Sequence, residues 1–150
     1  MHLTLRSNHA MRLMMYCAVN DRAVAPVSEI ARACNMSEAH LSKIAHALAA
    51  AGFVETVRGR RGGVRLARPA TELNVGEIVR ATELGQCLVE CLDPETNTCP
   101  LIEVCRFRSI IGRALDAFLS VLDGYTLADL VADRGQIRAA MGLEPEAPAV

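Results

Sequence analysis

The stretch from residue 28 to residue 68 constrains the fold most, because it predicts two short helices followed by a two-stranded hairpin. Ser28 is a candidate N-cap for the first helix, SEIARAC, and Ser37 for the second, SEAHLSKIAHALAAAG, which ends at Gly52. The turn between them, NMS, is three residues long. This arrangement predicts a helix-turn-helix, although any compact helical pair can produce a similar pattern.

The hairpin after the second helix favours DNA binding. FVETV and VRLAR are predicted strands, and the turn RGRRGG joins them. Residues 56–68 contain five arginines and no acidic residue. Arginines supply charge to phosphates, and glycines let the backbone approach a phosphate or lie in a minor groove. The hairpin is therefore predicted to be the wing of a winged helix-turn-helix, with a solvated hairpin tip as the alternative.

The second helix of the pair would enter the major groove by its N-terminal end. Ser42 and Lys43 suit phosphate contacts, whereas Glu38 or His40 could face base edges. His40 could equally be an ordinary surface residue. The predicted DNA-contacting residues are Ser28, Ser37, Glu38, His40, Leu41, Ser42, Lys43, Arg58, Arg60, Arg61, Gly62, Gly63 and Arg65.

Charge is divided unevenly along the chain. Residues 1–70 carry ten Lys and Arg against four Asp and Glu, whereas residues 71–150 carry six against thirteen. A basic half suits a polyanion, although two ordinary solvated faces would give the same totals. Hydrophobic residues make up 51% of the chain and aromatics 3%, so an aliphatic core is expected. With no apolar run long enough for a membrane span and no secretory signal, a cytoplasmic protein is expected.

Helices are predicted on both sides of the helix pair and wing. One spans 8–19 with a wide buried stripe, and another, ELNVGEIVRATE, has Asn74 as its N-cap and ends at the following Gly and Gln. Near the C-terminus, YTLADLVADRGQI predicts one short helix with Thr126 as its N-cap.

A long helix is predicted from Pro100 to about Asp123. Its apolar residues follow the spacing of a coiled-coil seam at Val104, Phe107, Ile111, Ala114, Phe118 and Val121. A second apolar line runs beside the seam at Leu115, Leu119 and Leu122. Two apolar lines need two covering surfaces, one from the same chain and one from an identical helix. A homodimer is therefore predicted, with one broad stripe inside a monomer as the alternative.

Three of the six cysteines form a spaced group. Without a secretory signal, six cysteines do not indicate a disulfide framework. Cys17 and Cys34 lie singly in apolar helical patterns and are interpreted as small core residues. Cys91, Cys99 and Cys105 have the spacing C-x7-C-x5-C, which indicates a metal or cluster site.

The wide gaps in this group differ from the paired spacing of structural zinc sites and suit a bulkier iron–sulfur cluster. Thiol redox chemistry is the alternative. Cys87 lies one helical turn before Cys91 and is a fourth ligand, a resolving thiol or a buried bystander, with the bystander favoured. Arg106 and Arg108 flank Cys105 and could offset the negative charge of thiolate ligands.

The chain resembles the Rrf2 family of bacterial winged-helix regulators, in particular its RirA-like and NsrR-like iron–sulfur branch. The resemblance rests on MHLT, the SEIARAC and SEAHLSKIAHAL helices, GFVETVRGRRGGVRLARP, LNVGEIVRATE, the three spaced cysteines and FLSVLDGYTLADLV. It implies a homodimer in which Cys91, Cys99 and Cys105 of each subunit hold one iron–sulfur cluster, 4Fe–4S in preference to 2Fe–2S. NsrR-like proteins commonly supply an aspartate near the N-terminus that completes the ligation of the cluster from the partner chain. This chain has Asn8 at the matching position. A neutral amide is a poor iron ligand, so the fourth iron is expected to bind water or to keep an open coordination position.

The predicted protein is mostly α with a small β-hairpin, and it is a DNA-binding transcriptional regulator, a repressor, whose cluster senses iron or cluster status. An NsrR-like response to nitric oxide is the main alternative, followed by a metal-free thiol switch or a cluster-bearing redox protein. No nucleotide loop or acid–base pair indicates an enzyme.

The implied partners are double-stranded DNA and a second copy of the chain, with no membrane and no small-molecule substrate. The predicted units are 1–80 for DNA binding, 81–105 for the cluster loop, 100–143 for dimerisation and the C-terminal helix, and 144–150 for a flexible tail.

Overall fold

The computed structural model describes residues 3–20, 24–59, 62–83 and 88–144. The structure is mostly helical with one small antiparallel hairpin, which confirms the predicted fold class. The helices are α1 (Leu5–Val19), α2 (Val27–Ala33), α3 (Glu38–Ala50), α4 (Val75–Thr82), α5 (Arg106–Asp123), α6 (Leu127–Leu130) and α7 (Arg134–Ala140). The strands are β1 (Val54–Val57) and β2 (Gly63–Leu66). No helix in these ranges is both long enough and apolar enough to cross a membrane.

α2 and α3 form the predicted helix-turn-helix. Asn35 in the turn has a left-handed φ of 53°, which asparagine tolerates better than most residues. Gly52 follows α3 with φ of 78°, so it is the predicted glycine that ends the helix. Ser37 occupies the N-cap position of α3, but its side chain makes no capping hydrogen bond. The prediction that Ser28 caps α2 is wrong, because the helix begins one residue earlier, after a proline.

The hairpin is fastened to the helix pair. β1 pairs with β2 in antiparallel register, with Val57 opposite Gly63. The N–H of Ala25 donates to the carbonyl of Val64 at 2.9 Å, and the N–H of Val64 donates to the carbonyl of Ala25 at 2.8 Å. The segment before α2 thus extends the hairpin by one bridge, which completes the winged helix-turn-helix.

The core is aliphatic, as the composition predicts. Its largest fully buried side chains are Tyr16, Leu13, Met14, Ile30, Leu41, Leu48, Leu73, Ile78, Leu127, Val19 and Val64. The Tyr16 hydroxyl donates to Glu29 Oε1 at 2.8 Å. α1 begins earlier than predicted, because Thr4 caps it by accepting the N–H of Ser7 at 3.3 Å.

The N-terminus of α4 is tied to the segment between α5 and α6. As predicted, Asn74 caps α4, and its Oδ1 accepts the N–H of Glu77 at 3.1 Å. The same side chain donates to the carbonyl of Asp123 at 2.7 Å. The N–H of Val75 donates to the carbonyl of Tyr125 at 2.9 Å. The start of α4 and the end of α5 therefore form one local unit.

α5 begins later than predicted. Turns follow Pro100, and the regular helix starts only at Arg106, with Cys105 as its N-cap residue. The helix ends at Asp123, as predicted. None of its 18 residues is buried within the single chain.

The C-terminal segment forms two short helices instead of the single predicted one. Thr126 caps α6 in a reciprocal capping box with Asp129, which confirms this N-cap. A new helix, α7, begins after a second cap and packs on the end of α1. There Arg138, 6% exposed, donates from Nη1 to the carbonyl of Val19 and from Nε to the carbonyl of Glu144 at 3.0 Å. Cationic groups are stabilising at a helix C-terminus, so Arg138 secures α1.

Candidate functional site

The start of α3 presents an exposed polar surface. Four predicted contact residues are exposed there: Ser37, Glu38, His40 and Lys43. Ser42 is half-buried, and its hydroxyl donates to the carbonyl of Glu38 at 2.9 Å. Leu41 is 0% exposed and belongs to the core, so its inclusion among the DNA contacts is wrong. Its side chain instead holds α3 against the other helices.

α1 touches α3 through a pair of histidines. The ring of His9 lies edge-on to that of His40, with 5.3 Å between the centroids and 82° between the planes. Burial lowers the pKa of His9 below its ordinary value, and the nearby His40 and Arg12 lower it further, so His9 is uncharged at neutral pH. A shift of α1 would therefore reach the exposed end of α3 through a direct contact.

The wing carries exposed arginines, one of which is paired. Arg58 and Arg65 are both exposed. Arg65 forms a cross-strand ion pair with Glu55, with 2.6 Å between Nη2 and Oε2. Arg60 and Arg61, the predicted tip of the wing, lie outside the described residues. The described wing therefore offers Arg58 as a basic side chain and Arg65 as one already in an ion pair.

Gly62 and Gly63 have a structural role. A Cβ on Gly63 would overlap the carbonyl of Ala25, and a Cβ on Gly62 would overlap the carbonyl of Val57. The two glycines thus let the hairpin close and pack against the segment before α2. Close approach to phosphate, the reason given for them from the sequence, is not needed to explain them.

The cysteine loop is shaped by local hydrogen bonds. Asp93 accepts the Thr96 hydroxyl at 2.6 Å and the N–H of Glu95 at 3.0 Å, and these bonds lower the pKa of the Asp93 carboxyl. Asn97 Oδ1 accepts the N–H of Cys99 at 3.2 Å. Short polar side chains that bond to the backbone two or three residues on are typical of ordered turns. The stretch between the first two cysteines of the loop is therefore held in place by its own side chains.

The three cysteines differ in exposure and surroundings. Cys91 is buried, whereas Cys99 and Cys105 are half-buried. Arg108 reaches from α5, and its Nε donates to the carbonyl of Cys91 at 2.9 Å. Cys105 is the N-cap residue of α5 and makes no side-chain capping bond. Since the first backbone N–H groups of a helix favour negative charge, this position suits an anionic sulfur.

The three cysteines of the loop are of the right chemical type for an iron–sulfur cluster, because such clusters are held by cysteine thiolates. Within the described ranges, no three His, Cys, Asp or Glu side chains are gathered closely enough to hold a metal ion. Asn8 is exposed on α1, and Cys87 lies outside the described residues. The loop thus provides three free thiols of the type that holds such a cluster.

A hydrogen-bonded junction joins the start of α1 to the end of α4. Glu83 Oε1 accepts the N–H of Thr4 at 2.8 Å, the Thr4 hydroxyl at 3.0 Å, and the Ser7 hydroxyl. The Ser7 hydroxyl also lies 2.7 Å from Thr82 Oγ1, and both side chains are buried. No sequence pattern links these positions, because the contact forms only when the two helices pack. The junction directly precedes the segment that leads to the cysteine loop, and Asn8 is the next residue of α1.

Cys17 and Cys34 lie in the helical core, as predicted. Cys34 is buried, and Cys17 is partly buried against the core cluster. Burial raises the pKa of Cys17 to about 12 and also raises the pKa of Cys34. Both thiols are therefore protonated at neutral pH and are poor nucleophiles and ligands.

An apolar surface remains exposed from the end of the loop along α5. Its large side chains, each more than half exposed, are Leu101, Val104, Phe107, Ile110 and Val121. The second predicted line, Leu115, Leu119 and Leu122, is half-buried. The exposed line differs in part from the predicted seam, since Ile111 and Phe118 are half-buried while Ile110 is exposed. Contiguous apolar surface of this kind marks an interaction site.

Comparisons with known proteins agree with this architecture. The family model described as "Rrf2: Iron-dependent Transcriptional regulator" matches residues 3–133. Protein aau3 of Rhizobium meliloti is 46% identical over 144 residues, which cover 96% of this chain and 94% of that protein. The HTH-type transcriptional regulator NsrR of Geobacillus kaustophilus is 44% identical over 140 residues, which cover 93% of this chain and 95% of that protein.

Solved structures share the fold. IscR of T. potens has a TM-score of 0.71 at 24% identity, over 91% of this chain and 90% of that chain. The oxidized form of Staphylococcus aureus CymR has a TM-score of 0.66 at 28% identity, over 87% of this chain and 95% of that chain. These matches extend well beyond the helix pair and the wing.

Proposed function

Because this chain belongs to the Rrf2 family of transcriptional regulators and is therefore a DNA-binding regulator, we propose that it is a repressor whose DNA affinity is set by an iron–sulfur cluster. Cys91, Cys99 and Cys105 would hold the cluster, and its signal would be iron or cluster status. The observation that carries this proposal is that one loop holds three thiols and follows, along the chain, the junction that joins α1 to α4.

DNA would lie across the start of α3 and the wing. The exposed Lys43 and Arg58 would supply charge for phosphates. Glu38 and His40, also exposed, would face base edges at the end of α3 that would enter a groove. Ser28, exposed near the start of α2, suits a phosphate contact. In this proposal residues 1–80 form the DNA-binding unit, with Arg60 and Arg61 completing the basic tip of the wing.

The cysteine loop, residues 81–105, would hold the cluster, 4Fe–4S in preference to 2Fe–2S. When bound, such a cluster supplies a group that iron loss, oxidants or nitric oxide can alter. Cys105 lies where the first turn of α5 favours negative charge, and Arg108 fixes the backbone of Cys91 relative to that helix. Asn8 offers a neutral amide, a weaker donor for iron than a carboxylate, which leaves one position open to water and favours a labile site.

The chain itself provides a route from the loop to the DNA-binding helix. Glu83 fixes the start of α1 through Thr4 and Ser7. The next turn of α1 carries His9, whose ring meets that of His40 on α3. A change in the loop that moves the end of α4 would displace α1 and, through the histidine contact, α3. Small shifts of packed helices are a common basis of such switching.

α5 would pair with α5 of a second copy. Its apolar side chains are exposed in the single chain, and none of its residues is buried. Helix-turn-helix regulators commonly bind two-fold DNA sites as dimers, and a self-complementary apolar helix face would suit that symmetry. Residues 100–143 are accordingly proposed as the dimerisation unit.

The test compares the DNA affinity of cluster-loaded protein, prepared without oxygen, with that of the same protein stripped of iron. The probe is a duplex selected from a randomised DNA pool, and binding is followed by fluorescence anisotropy. We expect the two affinities to differ about tenfold or more. Cys99→Ser should behave like stripped protein in both iron states, whereas Cys17→Ser should keep the difference. Equal affinities of the loaded and stripped wild-type protein would refute control by a cluster.

Nitric oxide is a second candidate signal, favoured by the relatives that carry the name NsrR at up to 44% identity. The two signals are separated by exposing the loaded protein to a chelator and, in a parallel sample, to nitric oxide. Rapid loss of DNA-bound protein with the chelator supports iron sensing. Resistance to the chelator with an immediate response to nitric oxide supports the second candidate.

A further inference from the structure

α4 is held against the end of α5 by contacts that have no role in the proposed function. Arg80 and Asp123 form a forked ion pair, with 2.6 Å from Nη1 to Oδ1 and 2.6 Å from Nη2 to Oδ2. Asn74 adds a hydrogen bond to the carbonyl of Asp123 at 2.7 Å. A forked pair fixes orientation as well as distance. We name this group, Asn74, Gly76, Arg80 and Asp123, the α4–α5 brace.

Gly76 leaves the space that the Asp123 carboxylate occupies beside α4. A Cβ at this position would overlap the Asp123 carboxylate and lie 3.0 Å from Arg80 Nη1. Glycine inside a helix weakens it relative to alanine, so helix formation does not explain its presence in α4. Room for the Asp123 carboxylate does explain it.

The brace joins the two parts of the molecule that are proposed to bind DNA and to form the dimer. α4 packs against α1 and α3, so it moves with the DNA-binding unit. α5 has 18 residues, which makes it about 27 Å long. A small rotation at its braced end therefore moves its other end by several ångströms. In a dimer built on α5, the angle between α4 and α5 sets the distance between the two copies of α3.

We propose that the α4–α5 brace determines which half-site spacing the dimer accepts, with Arg80 and Asp123 as positioning residues that do not touch DNA. This inference rests on the proposed function, because it requires a two-fold dimer on DNA. The two side chains are 44% and 40% exposed. Exposed ion pairs add little to folding stability, so variants of the pair should remain folded.

The test measures spacing preference directly. Wild-type protein first selects a two-fold site from a randomised duplex pool, and the centre of that site is then lengthened or shortened by one base pair. Each change turns one half-site against the other by about 35°. Wild-type protein should lose about tenfold or more in affinity on the altered sites. Asp123→Asn and Arg80→Gln should each lose less than about threefold, with unchanged affinity for a single half-site.

The two brace variants change net charge in opposite directions, so a shared effect cannot come from charge alone. Gly76→Ala disturbs the same contact from the α4 side and should relax the spacing preference in the same way. The matched control is Asp116→Asn, which makes the same change at an exposed position seven residues earlier on α5 and should keep the wild-type preference.

Sedimentation reports the oligomeric state of every variant. Brace variants that stay dimeric yet discriminate spacing as sharply as wild type would overturn the inference and leave the proposed function intact. A brace variant that becomes monomeric would place these residues in the dimer contact itself, which also overturns it. A wild-type protein that selects no two-fold site would overturn the proposed dimeric regulator, and this inference with it.

Discussion

The winged helix-turn-helix and α5 bury their apolar residues in different ways. Between α1 and α4, side chains such as Leu13, Ile30 and Ile78 are fully buried within one copy of the chain. Along α5, by contrast, Phe107 and Ile110 are more than half exposed. A unit that covers its own core can fold alone, whereas a helix that leaves its apolar face open needs another surface. We therefore expect a preformed DNA-binding unit and a helix that is completed by assembly.

A matched pair of isoleucine substitutions tests this difference most strongly. Ile78→Ala removes a fully buried side chain from α4 and should lower the free energy of unfolding by about 2–4 kcal/mol. Ile110→Ala removes a side chain that is 61% exposed on α5, so it should change unfolding of the dilute monomer little and weaken the dimer instead. Urea unfolding and sedimentation measure the two effects. Equal losses of unfolding free energy would contradict the comparison.

Arg138 provides a second test, since it connects the C-terminal helix α7 to the end of α1. Arg138→Gln should lower the free energy of unfolding by about 1–3 kcal/mol, because the buried carbonyl of Val19 and the partly buried bond to the carbonyl of Glu144 lose a charged donor. Arg134→Gln is the control, because Arg134 is less buried and donates to the carbonyl of Ala18 at 2.8 Å. Urea unfolding should show a smaller loss of unfolding free energy for Arg134→Gln than for Arg138→Gln. The reverse order would show that Arg138 is not the main contact between α7 and α1.

Cysteine reactivity sharpens the comparison between the core and the loop. In iron-free protein at about pH 8, Cys99 and Cys105 should react with iodoacetamide well before Cys17 and Cys34, whose pKa values are raised by burial. Mass spectrometry at timed intervals gives the order in which the cysteines are modified. Urea-denatured protein gives the modification rate of each cysteine in the unfolded chain. Modification of Cys17 in the folded protein as fast as Cys99 would contradict the assignment of Cys17 to the core.

The smallest predicted effect is a loss of folding stability at acid pH, which arises from two carboxyl groups near the end of α5. Hydrogen bonds from Arg80 lower the pKa of Asp123, and those from Thr126 lower the pKa of Asp129, below their ordinary value of 3.8. The stability from each group is present above that value and is lost as the pH falls through the lowered pKa. The free energy of unfolding, measured between about pH 5 and pH 2, should therefore fall less steeply with decreasing pH in Asp123→Asn than in the wild type. An unchanged slope would show that Asp123 contributes nothing to folding.

Several features that depend on neighbouring residues can be predicted from the sequence. Asn74 and Thr126 cap helices as predicted, because an N-cap acts on the N–H groups two or three residues later. Gly52 ends α3 for a similarly local reason. Leu41 lies at helical spacing from the buried Ile44 and Leu48, so the sequence pattern favours the core for Leu41 over a DNA contact.

Contacts between distant positions could not be predicted in this way. The bonds from Thr4 and Ser7 to Glu83, and the pairing of Arg80 with Asp123, join residues that meet only after the helices pack. The late start of α5 was missed for another reason. An apolar pattern continues through the turns after Pro100, so periodicity alone does not locate the first regular turn of the helix.

Control of DNA binding by iron requires that Cys91, Cys99 and Cys105 hold an iron–sulfur cluster. Iron and acid-labile sulfide per chain should therefore be measured in protein purified without oxygen, for wild type and for Cys99→Ser. A 4Fe–4S cluster would give equal amounts of iron and sulfide in the wild type, about four of each per chain, and both would be lost in the variant. Iron without sulfide, or neither element in the wild type, would contradict a cluster held by these cysteines.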